Sequence, residues 1–275
     1  MPQEPLTANK ISFLGSGRIA RALIQGLIKT QSVSPNEIIV TSQSGISATR
    51  LAEELGVTAA MSNDQAIEVA SMIILCTKPA QALATIVASQ KSLANKLLLS
   101  MAAGIRSEDL FQAAGGKARI MRAMPNTSVR VGKGTIVLAP HPSTTPEDLL
   151  LVKKVFSACA ALEEISEEKM DAVTALSGSG PAFALLFLEG LAEAGLQAGV
   201  DPKIARSLAA HTLEGASALI LQTEQSPQEL RAEITSPNGT TAAGLRVLEE
   251  AGFKKIIEQA VKAARLRAQE LAVTK

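Results

Sequence analysis

The run Ile11-Ser12-Phe13-Leu14-Gly15-Ser16-Gly17-Arg18-Ile19-Ala20 constrains this chain more than any other stretch. A short apolar, strand-like segment breaks into G-x-G-x-x-A and then into a helix-like segment. Each small residue answers a steric need. Gly15 permits the tight turn, Gly17 lets a pyrophosphate approach the backbone, and Ala20 lets the helix pack close to the strand. The helix start adds free N–H groups and the positive end of a dipole. A bare G-x-G-x-x-A is a weak signal. A strand before it and a helix after it are the context it requires, so the loop predicts a dinucleotide site on a βαβ fold.

The rest of the first half continues that pattern. Strands are predicted at Lys10 to Leu14, Glu37 to Thr41, Met72 to Cys76, Leu97 to Ser100, Arg119 to Met124 and Val131 to Ala139. Between them, helices are predicted at Ile19 to Lys29, Ser47 to Leu55, Gln81 to Ala88, Ser107 to Ala113 and Pro146 to Ala158. Alternation at this spacing indicates a mostly parallel sheet. From Glu167 onward, apolar residues recur instead at three- and four-residue spacing. Helices are predicted at Pro202 to Leu221, Ser226 to Ile234, Thr240 to Glu250 and Phe253 to Leu271. The expected architecture is α/β: a Rossmann domain over residues 1–165, then an all-helical domain over 166–275. The helical half is rich in Ala, Leu and Gly, which suits either a subunit interface or a self-contained bundle.

Composition narrows the function classes. Hydrophobic residues make up 47% of the chain, with six Phe and no Trp or Tyr, so aliphatic side chains must build the core. The net charge of +1 argues against a nucleic-acid partner, which usually needs a basic face. Cys76 and Cys159 form no disulfide framework and no C-x-x-C, and His141 and His211 lie far apart, so no metal site is expected. Both histidines read as surface or helix residues. Met1 to Lys10 lacks the pattern of a signal peptide, and no apolar run reaches the length of a membrane span. A cytoplasmic protein without membrane contact is expected.

Three strand ends refine the dinucleotide site. NAD enzymes usually place an acid at the end of the second strand, for the ribose 2′-hydroxyl. Here that strand ends Val40-Thr41-Ser42-Gln43-Ser44. Neutral hydroxyls leave room for a 2′-phosphate, which either Arg18 or Arg50 could help hold, so NADP is favoured. Cys76-Thr77-Lys78-Pro79 and Ser100-Met101-Ala102-Ala103-Gly104 follow the next strands. Ligands of doubly wound sheets lie against such carboxyl ends, so both segments line the path from pyrophosphate to nicotinamide.

Far downstream, Ser236-Pro237-Asn238-Gly239-Thr240-Thr241 runs straight into a helix-like segment. It reads either as an ordinary capped turn or as a carboxylate site at a helix start.

Together with the Gly15 loop, Cys76 to Pro79, Ser100 to Gly104, Arg122 to Thr127, Ser177-Gly178-Ser179-Gly180-Pro181-Ala182-Phe183 and this last motif resemble pyrroline-5-carboxylate reductase, in order and over nearly the whole chain. The resemblance implies an NAD(P)H-dependent oxidoreductase that reduces 1-pyrroline-5-carboxylate to L-proline, the last step of proline biosynthesis. It implies an N-terminal Rossmann domain and a C-terminal helical dimerisation domain, with homodimers that assemble further, commonly as decamers. Gly15, Ser16, Gly17, Arg18 and Ile19 would hold the pyrophosphate, and Ser42 would lie near the adenosine ribose or its 2′-phosphate. Asn63 would contact the cofactor. Cys76, Thr77, Lys78, Pro79, Ala102, Ala103 and Gly104 would flank the nicotinamide half. Glu167 would lie near the substrate. Gly239, Thr240 and Thr241 would bind it through their N–H groups, with the catalytic Thr241 hydroxyl by the ring nitrogen.

Two departures stand out. Asn238 replaces a usual glycine, and the arginine common after the second strand is missing, which leaves NADH open beside the favoured NADPH. The rivals are a hydroxyacid dehydrogenase using Lys169 and a nucleotide-binding regulator without turnover.

Overall fold

The computed structural model describes residues 10–273; apart from Lys10, the polar stretch Met1 to Lys10 lies outside them. The chain divides into two compact units. One runs up to Ser179 and resumes at Ala264; the other is Gly180–Ala263. By contacts the chain divides after Ser179, because the first helical turns after Glu167 stay packed on the sheet through Met170 and Ala175.

The first unit is built on β1 (Lys10–Leu14), β2 (Ile38–Thr41), β3 (Thr58–Ala59), β4 (Ala70–Leu75), β5 (Leu97–Ser100), β6 (Arg119–Pro125), β7 (Gly134–Pro140) and β8 (Ala160–Glu164). The sheet order is β3-β2-β1-β4-β5-β6-β7-β8. Pairing is parallel except between β6 and β7. Both faces are covered. Ile11, Phe13, Met72, Ile74, Leu97 and Leu99 belong to one core, and Leu14, Ile73, Leu75 and Leu98 to the other. Period-2 alternation sends successive side chains to opposite layers, so a strand buried on both sides reads as a continuous apolar run.

The order reverses between β1 and β4, which places a crevice at their carboxyl ends. The helix Arg18–Lys29 follows β1 and buries Ala20, Leu23, Ile24 and Leu27. Three elements escaped the sequence reading. β3 is two residues long, β8 is an edge strand with exposed acids, and the helix Asn63–Glu68 has only two buried residues.

The second unit holds the helices Pro202–Gln222, Pro227–Glu233 and Thr240–Glu250, with most of Gly180–Gln197 and the first half of Phe253–Val273. Small residues let its helices close up: a Cβ at Gly195 would sit 3.2 Å from the Ala205 Cβ. The Phe187 and Phe253 rings meet at a 45° tilt with centroids 5.7 Å apart. Within this unit only Ala205 and Ala209 are buried, while Leu185, Leu186, Ile204, Leu208, Leu221 and Val247 are exposed. A self-contained bundle would bury such side chains. The unit leaves these apolar side chains open, which favours the subunit-interface reading over the self-contained bundle. By length and composition the helical run Glu167–Gln197 contains an 18-residue window apolar enough to cross a membrane, with mean hydropathy 1.3, a property that the core helix of a soluble protein also shows. Interspersed Gly, Ser and Ala broke its apolar run in the sequence without making it polar.

Gly26 in the first helix faces the segment Thr127–Val131. A Cβ there would lie 2.3 Å from the Val129 carbonyl oxygen. Helix propensity alone would favour alanine by about 1 kcal/mol. Overpacking against backbone costs about 1–3 kcal/mol and, at this distance, outweighs it. Gly26→Ala should lower the urea midpoint with the slope m unchanged; a raised midpoint would contradict the packing.

Candidate functional site

Gly15 occupies the first turn after β1 at φ +110°, a region that favours glycine. A Cβ there would stand 2.8 Å from the Cys76 carbonyl carbon and oxygen. The Gly15 N–H donates to Thr41 O at 3.1 Å, and the Cys76 N–H to Leu14 O at 2.8 Å. The ends of β1, β2 and β4 are thus drawn together. Gly17 has open space where a side chain would be, and it begins its helix without a side-chain cap, leaving first-turn N–H groups open.

A groove of about 730 Å³ lies over these strand ends. Of the expected cofactor residues it is lined by Gly15, Ser16, Gly17, Ser42, Asn63, Cys76, Thr77 and Lys78. Hydroxyls dominate the lining, with no carboxylate and Lys78 as its cation. The Thr77 hydroxyl is buried with no protein partner, the kind of group a bound polar ligand satisfies. The Thr41 hydroxyl donates to Asn63 Oδ1 at 2.6 Å, which fixes that amide at the rim. Ser42 Oγ accepts the Ala48 N–H at 3.1 Å, and Ser16 and Ser47 hydroxyls pair at 2.7 Å. An open glycine cradle, an uncapped helix start and an orphaned hydroxyl fit a dinucleotide.

Not every expected residue reaches this groove. Arg18 is exposed and outside the lining, as is Arg50; Ile19 packs into the core and Pro79 starts the next helix. Ala102 is buried in the core and Ala103 packs against the small cluster of Met124, Ala139 and Met170. Gly104, at φ +74°, lines a separate cavity of about 480 Å³ with Arg106, Arg122, Glu167, Glu168, Asp171 and Gln269. Cys76 lines the groove, yet burial pushes its thiol far up, so it packs as a neutral small side chain.

Glu167 is committed to protein partners. Its Oε1 accepts the Ser107 N–H at 2.7 Å and Arg122 Nη1 at 2.8 Å, and its Oε2 accepts the Ser107 hydroxyl. Burial pushes the carboxyl up, but the bonds from Ser107 and Arg122 outweigh it and hold it below the usual range. This was not visible in sequence, where Ser107 and Arg122 stand 60 and 45 residues away. His141 also departs from expectation. It is buried, with Nδ1 accepting the Ser143 N–H at 3.1 Å, Nε2 3.1 Å from Glu108 and its ring 4.7 Å from Phe111. His211 is exposed on its helix.

In the second unit, Asn238 adopts φ +60°, the left-handed conformation that asparagine tolerates better than other side chains. The Gly239 N–H donates to Ser236 O at 3.1 Å and closes the turn. It is therefore not free for a ligand. Gly239 is also held close: a Cβ would meet Ser236 Oγ at 2.4 Å. Gly239 begins the helix Thr240–Glu250 without a side-chain cap. The open donors are the N–H groups of Thr240, Thr241 and Ala242, one residue further on than expected. The Thr241 side chain is exposed beside them.

Two family models match. One, described as pyrroline-5-carboxylate reductase dimerisation, covers residues 167–271, and one described as NADP oxidoreductase coenzyme F420-dependent covers residues 10–104. The chain is 38% identical to a pyrroline-5-carboxylate reductase of Synechocystis, over 95% of this chain and 98% of that protein. It is similar to a solved pyrroline-5-carboxylate reductase from Coxiella burnetii, with TM-score 0.88 and 33% identity over 98% of this chain and all of that one. It also resembles a pyrroline carboxylate reductase from Plasmodium falciparum solved with NADP bound, with TM-score 0.89 and 28% identity over the same shares.

The state of Glu167 has a pH signature. Its pKa is lower folded than unfolded, so its contribution is full above the unfolded value of about 4.3 and is lost as pH falls through the folded value. The gap in Tm between wild type and Glu167→Gln should be constant at neutral pH and should narrow as pH falls below the unfolded value of about 4.3. A gap that persists at the acid end would mean that the carboxylate is not stabilised in this way.

Proposed function

The chain belongs to the pyrroline-5-carboxylate reductase family, and from that premise we propose how its own residues carry the reaction. It is an NAD(P)H-dependent oxidoreductase that reduces 1-pyrroline-5-carboxylate to L-proline. The reaction adds hydride to the imine carbon, C2 of the pyrroline ring and Cδ of the proline formed, and a proton to the ring nitrogen. When bound, the reduced nicotinamide supplies the hydride. The protein supplies binding, orientation and electrostatics.

The observation that carries the substrate assignment is the uncapped helix start after Asn238-Gly239. The N–H groups of Thr240, Thr241 and Ala242 hold the carboxylate, helped by the positive end of the helix dipole. Gly239 contributes shape, not a donor, since its N–H closes the turn. The Thr241 hydroxyl both donates and accepts. It orients the imine, bonds the developing amine and passes a proton in from water. Glu167 serves the substrate side indirectly, because both of its oxygens are taken. Division of labour follows the two domains, 1–165 for the cofactor and 166–275 for substrate and subunit pairing.

On the cofactor side, Gly15, Ser16 and Gly17 cradle the pyrophosphate, and Thr77 offers its hydroxyl. Ala102 to Gly104 flank the nicotinamide half. NADPH is the preferred donor. No acid lines the groove at Ser42 and Gln43 to repel a 2′-phosphate. The exposed apolar side chains of the helical unit support a homodimer as the working form, with dimers assembling to decamers in the cytoplasm.

Thr241→Ala should lower kcat tens-fold, because a lost transition-state hydrogen bond costs about 1–3 kcal/mol. Wild-type kcat and KM for the imine in that variant would remove Thr241 from the mechanism. Parallel assays with the imine should show a higher kcat/KM for NADPH than for NADH; the reverse order would overturn the cofactor preference.

A further inference from the structure

The loop between β5 and the helix Ser107–Ala113 is held in an unusual way. Its entry is ordinary: the Met101 N–H donates to Leu75 O at 2.9 Å, and the Ala102 N–H to Ser100 Oγ at 3.3 Å. Its exit is held by a side chain from far along the chain. Glu167 takes both the N–H and the hydroxyl of Ser107, which is 4% exposed. The same carboxylate takes Arg122, and Arg122 stands in register beside Ser100, the last residue of β5. Glu167 thus ties the exit of the loop to the strand next to its entry. Between these ends, Ala103 packs against the cluster of Met124, Ala139 and Met170, and Gly104 supplies the left-handed bend.

We infer that Glu167, Arg122 and Ser107 form a staple that positions residues 102–104 for hydride transfer. All three are positioning residues: they act on the reaction through the loop backbone. The inference rests on the reading that Ala102 to Gly104 flank the nicotinamide half.

Burial of the staple explains why a carboxylate is used. Arg122 is 5% exposed, and a guanidinium so placed must be paired or it carries a large desolvation cost. A carboxylate offers two oxygens, enough to accept from Arg122 and from both donors of Ser107 at once. A neutral side chain of similar length satisfies fewer of these donors. The arrangement closes a short loop with charge-assisted bonds, and it fixes backbone atoms without placing a charged head on the ligand. Small misplacements of reacting groups are expensive, so a staple remote from the chemistry should show in kcat.

The test uses the full-length protein and four readouts: Tm, the Kd of 2′-phospho-ADP-ribose (which lacks the nicotinamide), and kcat and KM with NADPH and the imine. Ser107→Ala deletes one bond of the staple, and Ser107→Thr restores a hydroxyl. The double variant Arg122→Met with Glu167→Met removes both charges, so no unpaired guanidinium remains and the fold is kept. Ser107→Ala and the double variant should lose about tenfold or more in kcat, with the fragment Kd within about twofold of wild type. Ser107→Thr should recover most of the kcat. Wild-type kcat in the double variant would overturn the staple, as would a fragment Kd weakened by the same factor as kcat, which marks general damage to the groove. If the wild-type protein itself fails to oxidise NADPH on adding the imine, the functional reading falls, and this inference with it.

Discussion

The backbone of Gly15 passes so close to the Cys76 carbonyl that no side chain fits between them, and the cofactor end of the molecule depends on that contact. It brings the ends of β1 and β4 together at the point where the strand order reverses. The first helix then starts over the crevice with its N–H groups open, and a floor of hydroxyls follows from β2 and β4. A single methyl group at Gly15 would push against backbone, which cannot rotate away as a side chain can. The positive φ at this position, open to glycine and strained for any side chain, adds to the same demand.

A second constraint works at longer range. The Glu167 carboxylate joins a strand, a loop exit and the first turn of the segment that leads into the helical unit. Its ionised state is stabilised by the donors it holds, and these donors are buried in turn. The helical unit has the opposite character. Its helices pack closely through Gly and Ala, but much of its large apolar surface remains open. Open apolar surface of this kind agrees with the match to a dimerisation family over residues 167–271.

Much of this was legible in the chain. The strands Lys10–Leu14 and Leu97–Ser100 and the helices Ser107–Ala113 and Thr240–Glu250 were read to their final residues, because turn residues and periodicity bound them clearly. The glycine cradle was legible for the same reason, since its demands are local. Elements held by little burial of their own were not. β3 and β8 exist because a neighbouring strand offers them a ladder. The helix Asn63–Glu68 has too few residues for its period to show. His141 looked like a surface residue because its partners, Glu108 and Phe111, come from a distant helix.

The sequence by itself determined the βαβ architecture, the helical second half and the place of the dinucleotide loop, because each follows from side-chain size, backbone freedom or periodicity within a few residues. Only the tertiary structure decided which donors remain open at Gly239, that Arg18 stays out of the groove, and that Glu167 is spent on Ser107 and Arg122. Those outcomes turn on which hydrogen-bonding groups meet in space. A buried donor or acceptor takes whatever partner the fold brings to it, and the fold brings partners from tens of residues away.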